Sequence, residues 1–201
     1  MNLVIEESLL RSLVWLDYRL AVLFLVILPL LLLLWATVSR SESIQRVLII
    51  YWRVSSLLAI TVYLMIGNLP IGFLSSFLAR VLIPISLWFW VDLNEEIDDL
   101  RQSTLKLAFN AWRWAVTAYS VVGAIAFIPV LQCSFNQGLY TTPFCQVWRE
   151  APLMYRDTLH AGYTLGFLGF WGIVGLVIYL LYLVYYALVR FGKNGRSAME
   201  Q

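Results

Sequence analysis

Charged residues are scarce in this chain: Asp, Glu, Lys and Arg make up 13% of its 201 residues, and histidine occurs once. With 61% hydrophobic residues, the composition lies outside that of soluble globular domains. The basic residues are scattered among connecting segments and form no single patch, which argues against nucleic acid as a partner. Glu6 and Glu7 stand where a cleavable signal sequence would be basic, so we expect no such signal.

Long apolar runs dominate the sequence instead. A helix needs about 20 mainly apolar residues to cross a bilayer core of about 30 Å, and five runs meet that requirement: 20–38, 47–67, 71–91, 111–131 and 165–189. Transmembrane barrels use shorter segments of alternating polarity. The sequence therefore predicts an all-α polytopic membrane protein, a single helical membrane domain over residues 1–201 with five transmembrane helices.

Two amphipathic segments are predicted to lie at the membrane interface beside these spans. Before the first span, apolar residues recur at steps of three and four, which is typical of an interfacial helix: Ile5, Leu9, Leu13, Leu16 and Leu20. After the third span comes a second, mostly apolar series: Ile97, Leu100, Thr104, Leu107 and Ala111. We interpret the first segment as an anchor for the span that follows, and a docking surface for a partner stays open as the alternative.

The orientation in the membrane is predicted from the basic residues of the connections. One side holds seven of them: Arg40, Arg46, Arg101, Lys106, Arg190, Lys193 and Arg196. The other side holds four: Arg11, Arg19, Arg149 and Arg156. Because Lys and Arg are enriched in cytoplasmic connections, we expect the C-terminus in the cytoplasm, and the N-terminus and residues 132–164 in the periplasm or a thylakoid lumen.

The two cysteines, Cys133 and Cys145, both fall in this predicted exterior segment. Disulfides persist in oxidising compartments and are rare in the cytosol, so we predict that the two residues form a disulfide. Free thiols, or a metal site that also uses His160, stay open, although the spacing of these residues is not a known zinc pattern. We interpret His160, the single histidine, as a packing residue rather than an axial ligand of a pigment or haem.

Two arginines lie where hydrocarbon is expected. At a rise of about 1.5 Å per residue, Arg53 lies roughly 9 Å deep in the second predicted span, and Arg80 roughly 16 Å deep in the third. An unpaired arginine at the centre of a span costs about 2.5–3.5 kcal/mol, and no Asp or Glu lies within the five predicted spans. Arg80 is therefore expected to lack an acidic partner in its own chain, and to contact either hydroxyls of the bundle or another molecule.

Acidic residues are concentrated directly after the third span: Asp92, Glu95, Glu96, Asp98 and Asp99. Three interpretations stay open. The carboxylates could complement the dipole of a solvated helix start, form a docking patch for the basic loops of a partner, or hold a divalent metal, since several share helical steps of three and four.

The fifth span contains an unusual series of small residues: Gly162, Gly166, Gly169 and Gly172. Glycines at this spacing form a smooth face that lets another helix approach closely. The same face would accept a flat ring or a polyene. The sequence names no cofactor, and chlorophyll, a carotenoid and a lipid all stay open.

Four stretches and the C-terminal tail carry a likeness to a known family: RSLVWLDYRLAVLF (11–24), LIIYWRVSSLLAITVYLMIG (48–67), LARVLIPISLWFWVDLNEEI (78–97), GFLGFWGIVGLVIYLLYL (166–183) and GKNGRSAMEQ. On these stretches, nearly the whole chain resembles a family of uncharacterised cyanobacterial integral membrane proteins of about 200 residues. The resemblance implies a phototrophic host, and hence a thylakoid location, but no activity and no catalytic residues.

We expect a non-enzymatic accessory or assembly subunit of a photosynthetic or bioenergetic membrane complex. Other membrane subunits would contact Arg53, Arg80 and the glycine face within the bilayer, and the acidic segment at its cytoplasmic surface. One alternative is a metal-dependent enzyme that modifies lipids or isoprenoids, using Arg101 and the acidic residues. A small transporter is the second alternative, and its substrate flux would be lost in Arg80→Leu.

Overall fold

The computed structural model describes residues 2–186 and 188, with the backbone alone for residues 2–6. This part of the chain is helical without a strand, and five of its helices are long and apolar enough to span a membrane. They are Glu7–Val38, Glu42–Ile66, Ile71–Trp88, Thr104–Phe135 and Leu165–Tyr185. The predicted all-α fold with five spans is confirmed. The side chain of Ile5, the end of the fifth predicted span at Val189, and the basic tail with Arg190, Lys193 and Arg196 lie outside the described residues.

The first span is a continuous helix that begins earlier than predicted. α1 (Asn2–Ala21), a π-helical segment (Val22–Ile27) and α2 (Leu28–Val38) follow one another without a break. Charged residues before residue 20 set the start of the apolar run, but the helix continues through them. The predicted apolar stripe faces away from the bundle, since Leu9, Leu13 and Leu16 are 59%, 54% and 50% exposed.

A proline accounts for the π-helical segment. Pro29 lacks the N–H that would bond to the Leu25 carbonyl in an α-helix, and widened turns are a common response to a disturbed ladder. The hydroxyl of Tyr51 donates to that Leu25 carbonyl at 2.6 Å, and the indole Nε1 of Trp112 donates to the Phe24 carbonyl at 2.9 Å. Side chains of neighbouring helices thus satisfy backbone groups that lipid could not.

The central hairpin consists of α3 (Glu42–Ile66) and α4 (Ile71–Trp88). The turn between them includes Asn68 at a φ of 60°, a left-handed conformation that asparagine adopts more readily than most residues. α3 packs against α2, α4 and the last span. It therefore lies at the centre of the bundle, and its fully buried side chains include Val47, Leu48, Tyr51, Leu64 and Ile66.

The second predicted interfacial helix is two separate helices. α5 (Val91–Asp99) ends before a short extended connection, and α6 (Thr104–Phe127) begins after Ser103, whose side chain caps it by accepting from the Lys106 N–H at 3.2 Å. The continuous stripe predicted over residues 97–111 is wrong, because residues 100–103 are not helical and interrupt the helical spacing. Ile97 is fully buried whereas Leu107 is 70% exposed.

A run of short helices joins α6 to the last span. They are the 3-10 turn Ile128–Leu131, α7 (Gln132–Phe135), α8 (Gln137–Tyr140), α9 (Pro143–Gln146), the 3-10 turn Val147–Arg149 and α10 (Glu150–Leu159), and they lead to α11 (Leu165–Tyr185). Cys133 and Cys145 are joined by a disulfide, with their Cα atoms 5.8 Å apart. The predicted disulfide is confirmed, and it links α7 to α9.

Hydrogen bonds join these short helices to the α3–α4 hairpin. Arg149 Nε donates to the Met65 carbonyl at 3.0 Å, and the Tyr140 hydroxyl donates to Asn68 Oδ1 at 2.8 Å. Burial raises the pKa of Tyr140, against the opposing charge of Arg149, so the phenol keeps its proton at neutral pH and remains a donor. We call the end of the bundle formed by residues 67–70 and 128–164 the loop end.

Candidate functional site

A buried ion pair joins the first span to α4. Arg80 Nη2 donates to Asp17 Oδ2 at 2.5 Å, and the two side chains are 9% and 21% exposed. Arg80 Nη1 also donates to the Ser76 hydroxyl at 2.5 Å, and the hydroxyl of Tyr119 on α6 donates to Asp17 Oδ1 at 2.7 Å. Three spanning helices are therefore tied together by one carboxylate.

The space for the arginine is made by a small residue and an aromatic ring. A Cβ atom at Gly123 would lie 3.2 Å from Arg80 Nε, so this position on α6 has little room for a side chain. The guanidinium carbon lies 4.7 Å from the centre of the Phe127 ring, a cation–π distance. Arg80 Nε is buried and has no hydrogen-bond partner among the described residues.

The expectation that Arg80 lacks an acidic partner in its own chain is wrong. Asp17 lies three residues before the first predicted span, but the unbroken first helix brings it against α4. In addition, helical side chains lean toward the N-terminus, and the Arg80 guanidinium reaches back one turn to Ser76. It thus lies nearer the loop end than its Cα atom does. The charge of Arg80 is paired inside the chain, so it does not indicate a missing acidic partner.

The acidic helix α5 is held to the bundle by two buried basic residues of α6. Lys106 Nζ donates to the carbonyls of Asp98 and Leu100 at 2.7 and 2.9 Å, which caps the end of α5. Arg113 Nη1 donates to Asn94 Oδ1 at 2.6 Å. Leu93 and Ile97 are buried, while the acidic side chains that point outward are Glu95, Glu96, Asp98 and Asp99.

The divalent-metal interpretation of this segment, one of the three left open by the sequence, has no support in the geometry of the described residues. Within residues 2–186 and 188, no group of three or more His, Cys, Asp and Glu side chains could hold a metal ion. Asp92 is half-buried beside the buried face of α5, whereas Glu95, Glu96 and Asp99 are exposed. The carboxylates therefore spread around the helix and do not converge.

The glycine face of α11 packs on the chain's own α3. A Cβ atom at Gly169 would lie 2.7 Å from the Gly67 Cα atom, and one at Gly172 would lie 2.9 Å from the Leu64 backbone nitrogen. Nothing lies within 4 Å of a Cβ atom at Gly162 or Gly166. The face thus provides the close helix approach that its spacing predicts, but Gly169 and Gly172 use it inside the chain.

Gly169→Ala is expected to lower the free energy of unfolding by about 1–3 kcal/mol, the usual cost of overpacking. The added methyl group meets backbone, which cannot rotate away. Gly166→Ala is the matched control on the same helix, and it should leave stability unchanged or raise it slightly, because alanine favours helix over glycine. Unfolding by sodium dodecyl sulfate in mixed micelles measures both, and equal stabilities of the two variants would contradict the packing.

His160 is a packing residue, as interpreted from the sequence. Its Nε2 lies 3.2 Å from the Tyr63 hydroxyl, and its ring packs against Tyr63, Tyr155 and Tyr163. It thereby connects the end of α10 to α3 at the loop end.

Arg53 lines an open groove between α3 and α11. The cavity has a volume of about 650 Å³, and the residues around it are mostly apolar. Arg53 is exposed, and its side chain forms no ion pair with the described residues. The sequence identified Arg53 but not the groove. The groove forms where α3, α4 and α11 pack together, and the sequence does not show which helices touch.

Comparison with known proteins adds a family. Residues 11–199 match the family described as "Protein of unknown function (DUF3177)". The chain belongs to this family. No curated protein and no solved structure matches it. The DUF3177 match covers the first span from residue 11 onward and the other four spans in full, so the ion pair, α5 and the groove all lie within the family region.

Proposed function

We propose that this DUF3177 protein is a non-enzymatic accessory or assembly subunit of a larger membrane complex, and that the outer face of α5 is its contact with a neighbouring subunit. The resemblance to cyanobacterial membrane proteins favours a photosynthetic or bioenergetic complex in the thylakoid membrane. Arg80, Gly169 and Gly172 no longer serve as partner contacts in this proposal, because they contact the chain itself.

The observation that supports the proposal is that two buried basic residues hold α5 against α6. Lys106 and Arg113 are 5% and 4% exposed, and both bond to α5 or its end. Because these bonds fix the helix, its exposed carboxylates have a defined arrangement. A segment that only contacts solvent would not require one. Glu95, Glu96 and Asp99 form no ion pair with any described residue, so their charges are available to another molecule.

The chemistry of the partner follows from the sign of this surface. Cytoplasmic connections of membrane proteins are rich in Lys and Arg, and the predicted orientation places α5 on the cytoplasmic side. We therefore propose that α5 binds a basic loop of the neighbouring subunit. Complementary charge of this kind mainly raises the rate and the specificity of association.

Neutralising the outer face of α5 tests the proposal. The variant Glu95→Gln, Glu96→Gln, Asp98→Asn, Asp99→Asn should reduce co-purification of the partner subunits about tenfold, since each exposed ion pair contributes up to about 1 kcal/mol. The measurement is quantitative mass spectrometry of the tagged protein purified in mild detergent at low salt. Raising the salt should have the same effect on the wild type, because exposed charges are screened.

The matched control carries Glu7→Gln and Asp157→Asn, which are exposed acidic residues away from α5. It should retain the partners. The proposal is wrong if the wild-type protein purifies as a lone species, or if the α5 variant keeps the same partners in the same amounts as the control.

A further inference from the structure

The groove beside Arg53 runs along the membrane-facing surface of the bundle. Its walls are α3 on one side and α11 on the other, and residues 82–93 form its floor. Ile49, Ile85 and Tyr182 line it while 38%, 51% and 45% exposed. The groove is therefore open laterally, toward the space that lipid occupies around a membrane protein.

A hydrogen bond closes the inner end of the groove, and two arginines line its α3 side. The hydroxyl of Tyr179 donates to the Val54 carbonyl at 3.3 Å, and this bond joins α11 to α3 at the end nearest the middle of the bundle. Arg46 and Arg53 lie two turns apart on α3, about 10 Å along the helix, and both line the groove.

The groove has an excess of positive charge. Arg46 pairs with Glu42 at 3.3 Å, with the two side chains 47% and 76% exposed. Among the described residues, Arg53 has no such partner and no acidic side chain lines the groove. Arginines in spanning helices are costly unless they are paired or reach headgroups and water. An anion beside Arg53 would remove this cost.

The apolar lining of the groove indicates what kind of molecule carries the anion. Apart from the two arginines, the lining is mainly aliphatic and aromatic, and a volume of about 650 Å³ falls within the range of ligand sites, about 300–1,000 Å³. Basic pockets between transmembrane helices bind the headgroups of anionic lipids. A free inorganic anion would use the arginines but leave the apolar walls uncovered.

We propose that this groove is a binding site for one anionic membrane lipid, whose headgroup pairs with Arg53 and Arg46 and whose acyl chain covers the apolar lining. The site is independent of the α5 contact. A helix of another subunit or a neutral pigment is the competing occupant, and the experiment below separates these from an anionic lipid.

The test uses the full-length protein, delipidated in mild detergent. Native mass spectrometry measures the affinity for dioleoylphosphatidylglycerol, which is anionic, and dioleoylphosphatidylcholine, which has the same chains and no net charge. The wild type should prefer the anionic lipid. Arg53→Gln should weaken binding of the anionic lipid about tenfold, as expected for the loss of a charge-assisted hydrogen bond, and should leave the neutral lipid unaffected. Arg53→Lys should keep most of the preference.

Arg19→Gln is the matched control, because Arg19 is an exposed arginine of a spanning helix that does not line the groove. It should bind both lipids as the wild type does. The proposal is overturned if the wild type binds both lipids equally, if Arg53→Gln keeps the preference, or if Arg19→Gln loses it to the same extent.

Ile85→Trp provides a second, charge-neutral probe, which decides the matter if Arg53→Gln does not fold. Ile85 is an exposed residue of the groove floor, so a larger side chain there makes the groove shallower without disturbing the core. Binding of the anionic lipid should fall about tenfold or more. Unchanged binding in Ile85→Trp would overturn the proposal, as would a pigment or a protein that occupies the purified wild type and is released by Ile85→Trp but not by Arg53→Gln.

Discussion

Asp17→Asn is expected to lower the free energy of unfolding by about 3–5 kcal/mol, more than Gly169→Ala does. The asparagine has the shape of the aspartate, and it can still accept from Tyr119, but it leaves the Arg80 guanidinium without a counter-charge. Arginine cannot relieve this by losing its proton. Breaking a buried pair by removing one partner is far more costly than the pair is worth, because an uncompensated charge stays buried.

Reversible unfolding by sodium dodecyl sulfate in mixed micelles, followed by tryptophan fluorescence, measures the effect. Asp157→Asn is the matched control: it removes the partner of Arg156 in an exposed pair and should cost less than about 1 kcal/mol.

A double variant separates the cost of an unpaired charge from the value of the pair. Asp17→Leu combined with Arg80→Leu should be more stable than Asp17→Asn alone, because apolar residues can replace a buried ion pair with little loss. If Asp17→Asn is no less stable than the Asp157→Asn control, the Arg80–Asp17 contact does not hold the helices together. If the double variant is the least stable of all, then the pair itself is strongly stabilising and the stated mechanism is wrong.

Removing the disulfide is expected to cost about 3 kcal/mol. Cys133 and Cys145 are twelve positions apart, and closing a loop of that size reduces the entropy of the unfolded chain by about this amount in the chain-entropy model. Both residues are buried among apolar side chains, so Cys133→Ala with Cys145→Ala is a better test than serine, which would bury hydroxyl groups without partners.

The same unfolding experiment with and without a reducing agent provides the control. The wild type should lose stability on reduction and approach the alanine variant, while the variant should not respond to the reductant. Labelling with a thiol reagent should modify the wild-type protein only after reduction. A wild type that labels fully before reduction, or whose stability is unchanged by reduction, would contradict a stabilising disulfide between α7 and α9.

The spans of the central hairpin were predictable because hydropathy is a local property. The predicted spans 47–67 and 71–91 correspond to α3 at Glu42–Ile66 and α4 at Ile71–Trp88, and the turn between them falls where Asn68 and Pro70 stand. The disulfide was predictable as well, since only one pairing of two cysteines exists. Neither inference required knowledge of which helices touch.

The candidate sites were predicted less well, because each depends on residues far apart in the chain. Asp17 and Arg80 are separated by 63 positions, and a predicted first span that begins at residue 20 leaves the aspartate outside the membrane-spanning segment. A signal was present: Asp17 lies within the amphipathic helix that is predicted to lead into the first span. For Gly169 the spacing predicted a close helix contact, but not that its neighbour would be Gly67.

The sequence by itself determined that this chain crosses a membrane five times as helices, because the length and apolarity of each run leave its backbone no other way to satisfy its hydrogen bonds in lipid. Only the tertiary structure decided which charged side chains are paired inside the protein and which are exposed to other molecules. Arg80 is paired, Arg53 faces an open groove, and the carboxylates of α5 point outward. The reason is physical: an ion pair is made by faces that meet in space, and helix packing, rather than local composition, brings those faces together.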